Sequence, residues 1–105
     1  MDDFYSVRQA GKHTVVDFLT PSLMNPQELE KIGASLFKMV DEEKRDRVVL
    51  DFSKVKYLSS QAIGIILTLN KKLGVLKNSK LVLCGVGPQL MHLLKITRLD
   101  RFLTI

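Results

Sequence analysis

Tryptophan is absent from this chain, cysteine occurs once, at Cys84, and proline three times. A lone cysteine excludes an internal disulfide framework and fits a reducing compartment, so the cytoplasm is the expected location. No apolar run approaches the roughly 18 residues that span a bilayer, so no direct membrane insertion is expected. Met1-Asp2-Asp3-Phe4 is acidic where a secretory leader is basic and apolar, which predicts no leader. Only His13 and His92 are histidines, and neither has a carboxylate or cysteine at ligand spacing, which argues against a metal site. No GxxxxGK[ST] loop is present. Gly85-Val86-Gly87-Pro88 is glycine-rich, but Pro88 lacks an N–H that a phosphate loop needs, so it reads as a turn and helix start. Ser60, His92 and Asp51 can be drawn as a triad, yet no Gly-x-Ser-x-Gly elbow surrounds the serine. Neither an enzyme nor a bound cofactor is expected.

Acid is scarce in the second half. Residues 1–53 hold 7 basic and 10 acidic side chains, a net of −3; residues 54–105 hold 9 basic and 1 acidic, a net of +8. The lysines are spread over several elements, which reads first as a solvated face and next as a surface that steers an acidic protein partner. No dense basic run marks a nucleic-acid face, and no nucleic-acid partner is expected. Lys56, Lys71 and Lys72 lie nearest in sequence to the segment described below.

At 105 residues the chain is long enough for one domain with one modest core. Phe4 to Gln9 and His13 to Leu19 read as strands of a hairpin turning at Ala10-Gly11-Lys12. Asn25-Pro26 opens a helix with Asn as cap and Pro at the first helical position. Leu29, Ile32, Leu36, Met39 and Val40 recur at helical spacing and mark its buried face. Val48 to Phe52 is a dense apolar strand of the kind found in the middle of a parallel sheet. A second helix from about Ser60 buries Ile63, Ile66 or Leu67, and Leu69 or the neighbours of Asn70 toward Leu73, and closes at Gly74 and Asn78-Ser79. Lys80 to Cys84 is a strand, a third helix buries Leu90, Met91, Leu93 and Leu94, and Arg101 to Ile105 is a short strand or extended tail. Strands alternating with helices predict an α/β layer fold.

The densest information lies in Val48 to Leu67, where a buried strand, a second apolar patch at Val55 to Leu58, a serine pair and a helical pattern follow one another. A serine at a helix start can cap it. The same place favours a phosphate, because free N–H groups and the positive end of the helix dipole meet there. Either Ser60 is the cap, or Ser59 is and Ser60 takes the first helical position with a more exposed hydroxyl. Gly64 costs about 1 kcal/mol in a helix interior, which points to a close helix–sheet approach.

Leu58-Ser59-Ser60-Gln61-Ala62-Ile63-Gly64, the later Leu81-Val82-Leu83-Cys84-Gly85-Val86 and the closing Ile96 to Phe102 together resemble the STAS domain family, of the anti-sigma-factor antagonist type. The resemblance covers about Val7 to Ile105. It implies a mixed, mostly parallel β-sheet of four to five strands with α-helices packed on it, and a single such domain over residues 1–105. Where the family's loop has Asp, a second Ser and its first Gly, this chain has Ser59, Gln61 and Ala62. Leu23-Met24-Asn25 lacks the acid often found in the loop after the second strand. The resemblance further implies a regulatory module that docks onto an anti-sigma factor acting as a serine kinase, which would itself bind the ATP. The implied phosphorylation site is Ser60, with Ser59 as runner-up. The implied partner-binding residues are Ser59, Ser60, Gln61, Gly64, Met24, Asn25 and Lys56. The other reading is an unphosphorylated scaffold that assembles with other STAS domains or a membrane protein.

Overall fold

The structure is a computed structural model that describes residues 5–45, 47–75 and 80–105. It begins with a hairpin, β1 (Tyr5–Ala10) and β2 (His13–Phe18), paired without interruption from Tyr5 opposite Phe18 to Ala10 opposite His13. Gly11 has φ +63°, the positive value that the first central residue of a type II′ turn requires. A two-residue strand, β3 (Ser22–Leu23), leads into helix α1 (Pro26–Asp41). Then come β4 (Arg47–Asp51), a second two-residue strand β5 (Tyr57–Leu58), helix α2 (Ser60–Gly74), strand β6 (Lys80–Cys84) and helix α3 (Pro88–Ile96).

The main sheet has the order β1-β2-β4-β6, with β1 antiparallel and the other three mutually parallel. Parallel neighbours need crossovers, and α1 and α2 supply them. Alternation along the strands sends Val16, Phe18, Val48, Leu50, Phe52, Leu81 and Leu83 to one face, where they join Leu29, Ile32, Leu36, Ile66, Leu69 and Leu73 in one cluster. Leu90 and Leu94 of α3 close the same core. The mixed, mostly parallel four-stranded sheet with helices on it is the architecture read from the sequence. The two shortest strands add a separate parallel pair, β3 with β5.

Several expectations need correction. Ile63 and Met91 are only half-buried; Ala62 takes the place of Ile63 on the inner side of α2, beside the expected Ile66, Leu69 and Leu73. The tail is not a strand. It makes a 3-10 turn at Leu99–Arg101, and then Thr104 alone bridges to Val82, with Leu83 N–H donating to the Thr104 carbonyl at 2.8 Å. Gly64 meets no sheet: space beside it is open, and it faces solvent. The close approach occurs at Gly33 of α1, where an added Cβ would stand 3.2 Å from Ile65 Cδ1 of α2. Phe4 and Asn78-Ser79 lie outside the described residues.

Lys72 is not free for a partner. Its ammonium pairs with Asp41 at 2.9 Å and sits 5.4 Å from the Phe37 ring centre, tying the far end of α2 to α1. Arg98, just past the Thr97 cap that ends α3, holds φ +61° without being glycine. A left-handed conformation costs a Cβ-bearing residue roughly 1–2 kcal/mol, part of which glycine returns through its freer unfolded state. Arg98→Gly is therefore expected to stabilise the chain by roughly 0.5–1 kcal/mol, seen as a rise of about 2–6 °C in Tm by calorimetry.

Candidate functional site: the paired helix N-termini

The site is assembled by backbone hydrogen bonds between two stretches far apart in sequence. Lys56 N–H and Tyr57 N–H both donate to the Pro21 carbonyl, at 2.8 and 3.1 Å, and Ser59 N–H donates to the Leu23 carbonyl at 3.1 Å. The chain leaves β3 for α1 and β5 for α2 side by side, so the N-termini of both helices emerge at one end of the molecule. Each carries the positive end of a helix dipole.

The caps are now assigned. Asn25 Oδ1 accepts from Gln27 N–H at 2.9 Å and Glu28 N–H at 3.1 Å, as the sequence leads one to expect. Ser59 is extended, with φ −86° and ψ 169°, and its Oγ accepts from Ala62 N–H at 3.2 Å. Ser59 is the cap of α2, and Ser60 occupies the first helical position. Its side chain is exposed and has no hydrogen-bond partner among the described residues. No acidic residue stands in the first turn of α2.

The other expected residues gather around this point. Gln61 Nε2 donates to the Pro26 carbonyl at 3.3 Å, linking the first turns of the two helices. Met24 is 53% exposed between β3 and the Asn25 cap. Lys56 is exposed on the approach to β5. Gly64 lies one turn after Ser60 and is also exposed, so the two share the solvent face of α2. Lys71 is eleven positions beyond Ser60, roughly 16 Å along the helix, and Lys72 is engaged elsewhere. Of the three lysines, Lys56 alone belongs to this end. Tyr57, 48% exposed, belongs here and was missed. Its signal was the alternation of an exposed Tyr57 with a half-buried Leu58 packed on the core, legible only once that pair is known to be a strand.

The crossover that delivers Ser59 starts from a tight corner. Ser53 donates to Asp51 Oδ1 through its N–H at 2.9 Å and through its hydroxyl. Gly85, at φ +66°, lies against this corner; an added Cβ would come within 2.8 Å of both Asp51 Oδ1 and Ser53 N. The Ser53 hydrogen bonds hold the Asp51 carboxyl below the ordinary carboxylate range. Cys84, beside Asp51 in the strand register, is half-buried, and desolvation followed by the Asp51 and Asp17 charges pushes its thiol up. Among the described residues no cluster of three or more His, Cys, Asp or Glu is arranged to hold a metal, and no helix is long and apolar enough to cross a membrane.

The sequence profile of the STAS domain matches residues 21–105, which includes every residue of this end. The chain belongs to the STAS domain family. BtrV of Bordetella bronchiseptica, named as an anti-sigma factor antagonist, is 32% identical over 83 residues, which are 79% of this chain and 67% of BtrV. A STAS domain protein of Planctomyces limnophilus superposes with a TM-score of 0.81 at 20% identity, over 95% of this chain and 86% of its own. SpoIIAA in its unphosphorylated form superposes with 0.71 at 14% identity, over 92% and 96%. The phosphorylated form of SpoIIAA, a Bacillus cell fate determinant, gives 0.74 at 14%, over 95% and 88%. At these identities the superpositions establish the fold.

Two measurements probe the site's scaffold. Ser59→Ala removes the α2 cap and is expected to cost about 0.5–2 kcal/mol in denaturant unfolding, while leaving Ser60 in place. Because the folded Asp51 carboxyl lies below its unfolded value, its contribution is present above the unfolded pKa and is lost as pH falls through the folded one. Asp51→Asn is expected to lower Tm at pH 7 and to flatten the decline of Tm below about pH 4, followed by calorimetry across pH.

Proposed function

We propose that this STAS domain is an anti-sigma factor antagonist whose paired helix N-termini dock onto an anti-sigma factor that is also a serine kinase. The observation that carries the reading is the division of labour between two serines: Ser59 caps α2, and Ser60 presents an unengaged hydroxyl at the first helical position. A phosphate there would be favoured by the free N–H groups and dipole of α2. It would also place about −1.5 to −2 charges in the middle of the docking surface, opposing binding by repulsion and desolvation. Ser59, Ser60, Gln61, Gly64, Met24, Asn25 and Lys56 form that surface, and the bare backbone at Gly64 allows close approach to the face of α2. ATP would belong to the kinase. Residues 1–105 act as one such domain in the cytoplasm. The naming of BtrV as an anti-sigma factor antagonist and the two phosphorylation states known for SpoIIAA support this assignment.

A second reading is an unphosphorylated STAS scaffold that assembles with other STAS domains. Ser59 in the place of the family's Asp and the lack of an acid after Leu23 favour it, since the charge pattern beside the hydroxyl then differs from the family loop.

Incubation with ATP and a candidate serine kinase of the anti-sigma factor class, followed by mass spectrometry, separates the two. Phosphate is expected on Ser60. Ser60→Ala is expected to bind the partner within about twofold of the unaltered protein and to take up none. Ser60→Asp is expected to weaken binding about tenfold or more, measured by calorimetric titration. Phosphate on Ser59 alone would move the switch by one residue, and phosphate on neither serine would leave the scaffold.

A further inference from the structure

Each helix follows a strand of the parallel set and returns the chain to the end where the next parallel segment starts, with Thr104 playing that part after α3. The three helices therefore end together, at the opposite end of the molecule from Ser60. The 15 residues of α2 set the two ends about 22 Å apart. Beyond α3 the chain reverses at this far end. Leu94, Leu99 and Leu103 pack on the core and hold the reversal down, and Asn70 Nδ2 of α2 donates to the Phe102 carbonyl at 3.0 Å.

Apolar side chains are turned outward here. Val75 is 79% exposed, Phe102 68% and Ile96 64%, the three highest values among the large hydrophobic residues described. Side chains that free project from the surface and do not line a cleft. Cations accompany them: Lys71, Lys95, Arg98 and Arg101 have no ion-pair partner among the described residues. Asp100 is the one acid of the reversal. Asp41, Glu42 and Glu43, at the end of α1, lie on the other flank of α2, the flank that Lys72 faces while Asn70 faces the reversal. Asp41 and Glu43 are also engaged already, with Lys72 and Arg45. Helix dipoles account for Lys71 and Lys95, each in a last turn. They do not account for Arg98 and Arg101 beyond the helix, nor for the projecting apolar side chains.

We propose that this end of the molecule binds peripherally to an anionic bilayer surface. Phe102 and Ile96 enter the headgroup layer, and Lys71, Lys95, Arg98 and Arg101 meet lipid phosphates. Charge selects the occupant, because four unpaired cations call for an anionic surface. Projecting apolar groups flanked by Lys and Arg have the composition of a membrane-surface contact. Each cation there adds about fivefold to partitioning onto acidic lipid, and the apolar groups add a share that salt does not screen. A protein interface would instead bury lysines that interface cores exclude. The contact needs no spanning segment. None of the residues of the serine end takes part, so it is independent of the proposed switch and leaves Ser60 directed away from the bilayer.

Co-sedimentation of the unaltered protein with vesicles of phosphatidylcholine, alone or with about 30% phosphatidylglycerol, tests this at low and physiological salt. Binding is expected to the anionic vesicles only, and to weaken as salt rises. Lys95→Glu combined with Arg101→Glu is expected to lower it about tenfold or more. Because the chain has no tryptophan, Phe102→Trp supplies a single reporter. Its emission is expected to move to shorter wavelength on anionic vesicles and to stay unchanged on neutral ones. Phe102→Ser is expected to weaken binding about threefold or more while changing Tm by less than about 2 °C, since the side chain is mostly exposed. No binding to anionic vesicles at low salt would overturn the proposal. Binding that survives the double charge reversal would overturn it too, by placing the contact on another face. Binding lost on charge reversal but with the Phe102→Trp emission unmoved would also end it, and would leave the cations to an acidic protein surface.

Discussion

The backbone hydrogen bonds from residues 56–59 to Pro21 and Leu23 are the constraint on which the rest of this site depends. They are short-range contacts between segments more than thirty positions apart, and they act as a clamp on two crossovers at once. Without them, α1 and α2 would still pack through Gly33 and Ile65, but the heights of their first turns would be independent. With them, Asn25, Met24, Tyr57, Ser59 and Ser60 are delivered to one end of the molecule by main chain alone. The side chains there need not hold the structure together, which leaves most of them exposed for binding. Loops set on a rigid scaffold commonly carry function for this reason.

The clamp also settles the electrostatics of that end. Two helix N-termini side by side present two positive dipole ends. Asn25 and Ser59 take up some of the free N–H groups, and both are neutral. The end is thus polarised toward anions without a dense cluster of cations. Two cations of the basic second half stand away from it: Lys71 and Lys72 lie at the far end of α2, and Lys72 is spent on Asp41 and Phe37. What the chain's net charge implies about steering is a property of the whole surface. What a phosphate would meet is decided within the first turn of one helix.

Much of the fold was legible. The hairpin, the two long strands β4 and β6 and all three helices follow from alternation, helical spacing and the Asn25, Ser59-Ser60 and Gly87-Pro88 starts, because those signals act within a turn or two. The site was legible in composition but not in arrangement. The serine pair, Met24 and Asn25 could be named, yet Tyr57 was missed because a two-residue strand is too short to show a period. Gly64 was misread for a related reason. A glycine inside a helix signals that something requires it, but only neighbouring elements reveal what; the tight crossing lies at Gly33, and Gly64 looks onto solvent.

The sequence by itself determined the long elements, their order, the buried face of α1 and the presence of a serine at a helix start, since each depends on residues a few positions apart. The tertiary structure decided which serine is the cap and which hydroxyl is left free. Ser59 N–H bonds to Leu23, which holds Ser59 in the extended conformation that a capping residue needs and leaves Ser60 to begin the helix. Tertiary structure likewise decided that Thr104 bridges to β6 at one sheet edge while β1 has no strand on its outer side among the described residues. Strand order and register are set by how distant segments share one core, and no local pattern contains them.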